Sequence, residues 1–163
     1  MSDITRLIMN DHEELRRRFA ELDDAKGTDR LGDLWAGISI LLEAHAAAEE
    51  AVFYPALLKR GDDAEEETED AIGDHNDIRA GVAEAGKHDV DTEGWWEAVG
   101  KARSENSDHI AEEEREALPD FRANASLELR ARLGREFEEF RYSHPRGDVP
   151  APKDADSYLA EHS

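Results

Sequence analysis

Apolar residues recur at helical spacing through most of the chain. From about Asp3 to Lys26 the stripe is Ile4, Leu7, Ile8, Leu15, Phe19 and Leu22, with Gly27 as a stop. A second helix is predicted from about Asp29 to Arg60 on Leu31, Leu34, Trp35, Ile38, Leu41, Leu42 and Phe53, ending before Gly61. A third, from about Asp63 to Lys87, starts in acidic residues and has a thin stripe: Ala71, Ile72, Ile78 and Val82. The fourth begins at the Asp91–Thr92 caps and carries Trp95, Trp96, Val99, Ile110 and Leu118, with Pro119 as its end or a kink. Ser126 then opens a fifth helix reaching about Tyr142, whose face is Leu133, Phe137 and Phe140. No stretch alternates as a strand does. The pattern predicts an all-α fold: an antiparallel up-down four-helix bundle over residues 1–122 and an additional C-terminal helix over 123–143. Residues 144–163 hold three prolines and few large apolar groups, and read as an extended or disordered tail.

Composition narrows the function classes. The formal net charge is −21, from 41 acidic and 20 basic side chains among 163 residues. Such a surface repels nucleic acid and anionic membranes, both of which are bound through Lys and Arg. The acidity by itself reads as a solvated surface or an adaptation to salt and identifies no metal site. The chain has no cysteine, so disulfides, zinc–thiolate sites, iron–sulfur clusters and cysteine nucleophiles are excluded. No apolar run reaches the roughly 20 residues of a membrane span, and the N-terminus lacks a signal-peptide stretch. A cytoplasmic protein is the expectation. A phosphate-binding Gly loop, a nucleophile elbow and a basic stripe are all missing from the sequence.

The histidines repeat. His12 and His45 are 33 residues apart, and His75 and His109 are 34 apart. His45 is followed at i+4 by Glu49, and His109 by Glu113. Asp11-His12-Glu13-Glu14-Leu15-Arg16 parallels Asp74-His75-Asn76-Asp77-Ile78-Arg79, and Pro55 and Pro119 each lie ten residues after the second histidine of their half. This is an internal duplication of a helix pair. Residues four apart on a helix lie about 40° apart around the axis and about 6 Å along it, so a His and a Glu so placed can grip one ion. One such pair is weak evidence in a chain this rich in glutamate, and any one of these histidines alone reads as a surface or hydrogen-bonded core residue. Four helices each placing a histidine at corresponding points is a far stronger pattern. Imidazole and carboxylate together suit iron, although zinc or manganese accepts the same residues. His88, His144 and His162 read as loop, His-Pro turn and tail.

At these residues the chain resembles the hemerythrin-like, or HHE cation-binding, family. The pattern H…HxxxE…H…HxxxE is met by His12, His45, Glu49, His75, His109 and Glu113, and the resemblance covers about residues 3–122. It implies two iron ions with a bridging oxo or hydroxo group, and Glu49 and Glu113 as bridging carboxylates. The neighbours Glu112 and Glu114 compete with Glu113, but the i+4 spacing and the repeat both choose Glu113. The oxygen-carrying members place two histidines four apart on the third helix. Here the flanking positions are Ala71 and Arg79, so a coordination position is left vacant or filled otherwise. Tyr54, which aligns with Leu118 across the repeat, is one filler. It is nine residues past His45, about 180° around an ideal helix, and faces inward only if Pro55 distorts the turn; otherwise it is a core or surface tyrosine.

Some family members with this ligand set decompose hydrogen peroxide, which makes catalase-like activity the leading functional expectation. The alternatives are dioxygen or nitric oxide binding or sensing, iron storage, and a helical protein without metal. The partners expected are therefore a small oxidant or diatomic ligand, with a monomer or weak homodimer as the assembly.

Overall fold

A computed structural model describes residues 2–148 and 150–163. Met1, in the segment 1–122, and Val149, in the expected tail, lie outside the described residues. The described residues are all-helical, without a strand. In order, the elements are α1 (Ile4–Asp24), α2 (Thr28–Ala48), a π-helical turn (Glu49–Phe53), α3 (Tyr54–Arg60), α4 (Ala64–Ala85), α5 (Glu93–Arg115), α6 (Ala117–Asn124), α7 (Leu127–Ser143) and α8 (Ala155–His162).

The helix ends follow from local chemistry. Asp3, Thr92 and Ser126 each accept a hydrogen bond from a backbone N–H of the first turn they precede, at Thr5, Trp95 and Leu129. Each satisfies a donor that has no partner within the helix. The long second helix of the sequence reading is one rod in three parts: α2, the π turn and α3 run on without a loop. The fourth breaks at Glu116, three residues before Pro119, and resumes as α6.

The apolar stripes make two cores. One gathers Ile4, Ile8, Phe53, Leu57, Ile72, Leu118, Phe121 and Phe137. The other gathers Leu15, Phe19, Leu22, Leu31, Trp35, Ile38, Trp95 and Val99. Each large side chain buried this way contributes about 1.5–3 kcal/mol relative to exposure. The four repeating histidines occupy the belt between these cores: His12 follows Ile8 and precedes Leu15, and His75 lies between Ile72 and Ile78. Gly81 sets how closely α4 meets α5, since a Cβ there would sit 2.9 Å from that of Ala102.

The end of the chain departs from the extended tail expected from its prolines. Asp154 caps α8 by accepting from the Ser157 N–H, and α8 packs on α4 with the Tyr158 ring buried. The prolines at 145, 150 and 152 all precede this helix, so they shape the connection without preventing the helix. His162 is thus helical and stacks on Tyr158. Among the described residues no helix is long and apolar enough to cross a membrane.

Candidate metal centre

His12 comes from α1, His45 from α2, Glu49 from the π turn, His75 from α4, and His109 and Glu113 from α5. All six are at most 3% exposed. Their ligand atoms converge in two overlapping groups: His12, His45, Glu49 and Glu113, and Glu49, His75 and His109. Glu49 belongs to both. Its Oε1 lies 2.8 Å from His45 Nε2, and its Oε2 lies 3.2 Å from His75 Nε2. Glu113 offers one oxygen, Oε2, to imidazoles of both halves: 3.4 Å from His12 Nε2 and 3.3 Å from His109 Nε2.

Each imidazole is held from behind by a carboxylate. Nδ1 of His12 meets Glu114 at 2.9 Å, that of His45 meets Asp11 at 3.0 Å, that of His75 meets Glu50 at 2.8 Å, and that of His109 meets Asp74 at 3.2 Å. An Nδ1–H donating to a carboxylate leaves Nε2 as the lone pair, and here every Nε2 faces inward. The four carboxylates are the sequence neighbours of other inward residues: Asp11 of His12, Glu50 of Glu49, Asp74 of His75 and Glu114 of Glu113. Adjacent residues on a helix point about 100° apart, so a neighbour cannot share its companion's target but can reach the next helix. These outer partners were not singled out from the sequence. Their signal was there, as Asp-His and Glu-Glu pairs recurring in both halves.

The inner atoms lack what a buried polar group requires. His12 Nε2, His45 Nε2, Glu49 Oε1 and Glu113 Oε2 are buried with no well-formed hydrogen bond. His75 Nε2 and His109 Nε2 face each other at 3.2 Å. With protons on both Nδ1 atoms, two lone pairs would meet there, an arrangement that a cation between them relieves. Burial opposes charge on His45, but Glu49 and Asp11 overcome it and raise its pKa to about 10. Burial is likewise outweighed at Glu49, whose carboxyl the His45 and His109 rings hold well below the ordinary range. The cluster is thus built for cations: protons supply the charge in part, and a metal ion would supply it by displacing them. Donor set, burial and orphaned atoms all fit a metal site.

The π turn decides where Tyr54 goes. Its N–H bonds to the Glu49 carbonyl, an i+5 bond that takes up one residue more than an α turn. That extra residue holds the phase back by about 100°, so Tyr54 stands about 80° from His45 instead of 180°. Its hydroxyl lies 3.2 Å from Glu49 Oε2 and 3.3 Å from Glu113 Oε1, fully buried. Burial, reinforced by Glu113 and Glu49, pushes the phenol well above its ordinary pKa, so in the metal-free site it donates to the carboxylates.

The profile of the Hemerythrin HHE cation binding domain matches residues 3–121. The chain belongs to this family. No curated protein and no solved structure matches it significantly. In this hemerythrin-like chain the two positions flanking His75 on its inward face have other roles. Arg79 pairs with Glu43 and Glu50, at 2.8 and 2.9 Å, and Ala71 is buried. Of the competing glutamates, Glu113 is the inward one. Glu114 backs His12, and Glu112 lines a small cleft beside Glu113. His88 is exposed and bonds to Glu84, and His144 stacks on Phe140, away from the cluster.

Proposed function

We propose that this chain is a non-haem di-iron protein, with residues 1–122 as an antiparallel four-helix bundle that holds two ions through His12, His45, Glu49, His75, His109 and Glu113. The observation that carries the reading is the placement of Glu49, with one oxygen toward His45 and the other toward His75. A carboxylate with an oxygen for each of two imidazole pairs suits two adjacent cations. When bound, an iron pair supplies reversible electron transfer at neighbouring centres and an open position for a small oxidant. With an oxo or hydroxo bridge between the ions, the reaction proposed is catalase-like decomposition of hydrogen peroxide.

The protein's own part is positional. Asp11, Glu50, Asp74 and Glu114 fix the ring orientation and tautomer of the four histidines. The Tyr54 hydroxyl holds a proton against Glu49 and Glu113 and is a group able to occupy the position that Ala71 and Arg79 leave unfilled. The flanking cores bury the six side chains, which strengthens the electrostatic contacts among them. Oxygen evolution from peroxide by the iron-loaded protein tests the reading. A rate no higher than that of the same iron free in buffer sinks it.

A cavity of about 280 Å³ with mainly apolar walls reaches His45, His75 and His109. It favours a second reading, reversible binding of dioxygen or nitric oxide without turnover. A reversible absorption change on exposure to dioxygen, with no oxygen released from peroxide, would select it.

A further inference from the structure

The same cavity is larger than a diatomic molecule or hydrogen peroxide requires. At about 280 Å³ it is close to twice the size of a protein cavity that holds one benzene ring, and near the lower end for organic ligand sites. Ile40, Leu42, Ala46, Ile78 and Val82 wall it with hydrocarbon, and His45, His75 and His109 close its inner end. Most polar groups along it are already engaged. Glu43 and Arg79 pair with each other, and the Ser39 hydroxyl donates to the Trp35 carbonyl. Arg146, which is exposed, also lines it.

Asn106 is the exception. It lies on α5 one turn before His109, is 3% exposed and lines the cavity. Its side-chain amide makes no hydrogen bond to any described residue. A buried amide has two donors and an acceptor to satisfy, and the cavity that Asn106 lines is the space beside it that can hold a partner. Hydrocarbon walls hold ordered water poorly, which leaves a ligand with a polar head as the natural partner.

We infer that this cavity binds an uncharged organic molecule of roughly ten to twelve non-hydrogen atoms. Its hydrocarbon body lies against Ile78 and Val82, and its hydroxyl or hydroperoxyl head meets the Asn106 amide beside the metal centre. Joined to the peroxide reading, on which only this step rests, the ligand is an organic hydroperoxide. Its O–O bond breaks and its oxygens leave as an alcohol and a water. The two electrons and two protons come from hydrogen peroxide, which leaves as dioxygen.

The test is calorimetric titration of the iron-loaded protein with cumyl alcohol and with tert-butylbenzene, which has the same shape but a methyl in place of the hydroxyl. Cumyl alcohol is expected to bind at least about tenfold more tightly, the worth of one hydrogen bond to a buried partner. Asn106→Leu should erase that preference, and Val82→Phe should abolish binding of both, with iron content and helicity checked in each variant. Absence of heat from cumyl alcohol up to millimolar concentration overturns the inference, as does an unchanged preference in folded Asn106→Leu. The wild-type comparison of the two probes stands even if a variant does not fold. Conversion of cumene hydroperoxide to cumyl alcohol is measured separately. Binding without conversion upholds the cavity and refutes the peroxide step.

Discussion

In the first half of the duplication the backbone enters a π turn at Glu49, the second residue of the His45–Glu49 clamp. In the second half α5 continues as a regular helix through His109 and Glu113 and breaks only at Glu116. The two halves supply the same residue types at matching spacings, yet the π turn makes them unequal. It swings Tyr54 onto the Glu49–Glu113 pair, while its counterpart Leu118 is buried in hydrocarbon. It accompanies a Glu49 that shows a separate oxygen to each side, whereas Glu113 shows one oxygen to both and gives the other to Tyr54. A duplicated sequence thus yields a centre with two kinds of carboxylate.

The largest effect should separate those carboxylates. Glu49→Ala removes the one residue common to both groups of ligand atoms and is expected to bring iron content close to zero. Glu113→Ala should leave about one ion per chain, because His75, His109 and Glu49 remain together. Metal analysis of the purified variants decides this. Equal losses would show that the halves load as a unit and would erase the asymmetry.

Protons give the next test. A His45 pKa raised to about 10 means that this ring carries a proton at neutral pH in the metal-free protein. An entering ion must displace it, so affinity should fall as pH falls, about tenfold per unit for each proton released. Zinc, which is redox-silent, serves as the probe between pH 6 and 8, and a flat profile would contradict the assignment. The sign for stability is opposite. A raised histidine pKa stabilises the metal-free fold fully below about pH 6.5, and that contribution is lost as pH rises through about 10. The metal-free protein should therefore melt at a lower temperature at pH 9.5 than at pH 6.5.

The outer carboxylates are expected to matter less, and unequally. Glu50 is buried and also pairs with Arg79, whereas Glu114 is partly exposed and bonds to Arg16. Glu50→Gln should weaken metal binding toward the upper end of the 10–100-fold range seen for such partners, and Glu114→Gln toward its lower end. Competition with a chelator of known affinity measures both.

The inward residues were legible because a duplication is visible without coordinates, and because the His-x-x-x-Glu spacing matches the pitch of a helix. The helices were legible from their caps and stripes. Tyr54 could not be placed, since ideal geometry put it on the far side and no local residue announces a π turn. Pro55 signals some distortion but not which. The backing carboxylates were hidden for a different reason: each is aimed at a neighbouring helix, and such pairings exist only after the helices pack. The short helix α8 was not legible because three prolines precede it and Tyr158 is the one residue it buries. Its support comes from α4 and from the Tyr158 hydroxyl donating to the Glu50 carbonyl, a contact over a hundred residues away in sequence.

The smallest expected effect isolates what the π turn itself contributes. Tyr54→Phe keeps the ring, which packs 5.4 Å from Phe53, and removes only the hydroxyl. The metal-free protein should lose about 1 kcal/mol or less, because the two long hydrogen bonds are weak and the carboxylates keep their histidine partners. Metal content should stay within about twofold, since the four histidines, the two carboxylates and the carboxylates behind them are untouched. The spectrum is the sensitive readout. A nearby cation reverses the influence of the carboxylates on the phenol and favours the phenolate. The iron-loaded wild type should then show a low-energy phenolate-to-iron band that vanishes in Tyr54→Phe. The same spectrum in both would reduce Tyr54 to a hydrogen-bond donor, and the inequality of the two halves would then lie in Glu49 alone.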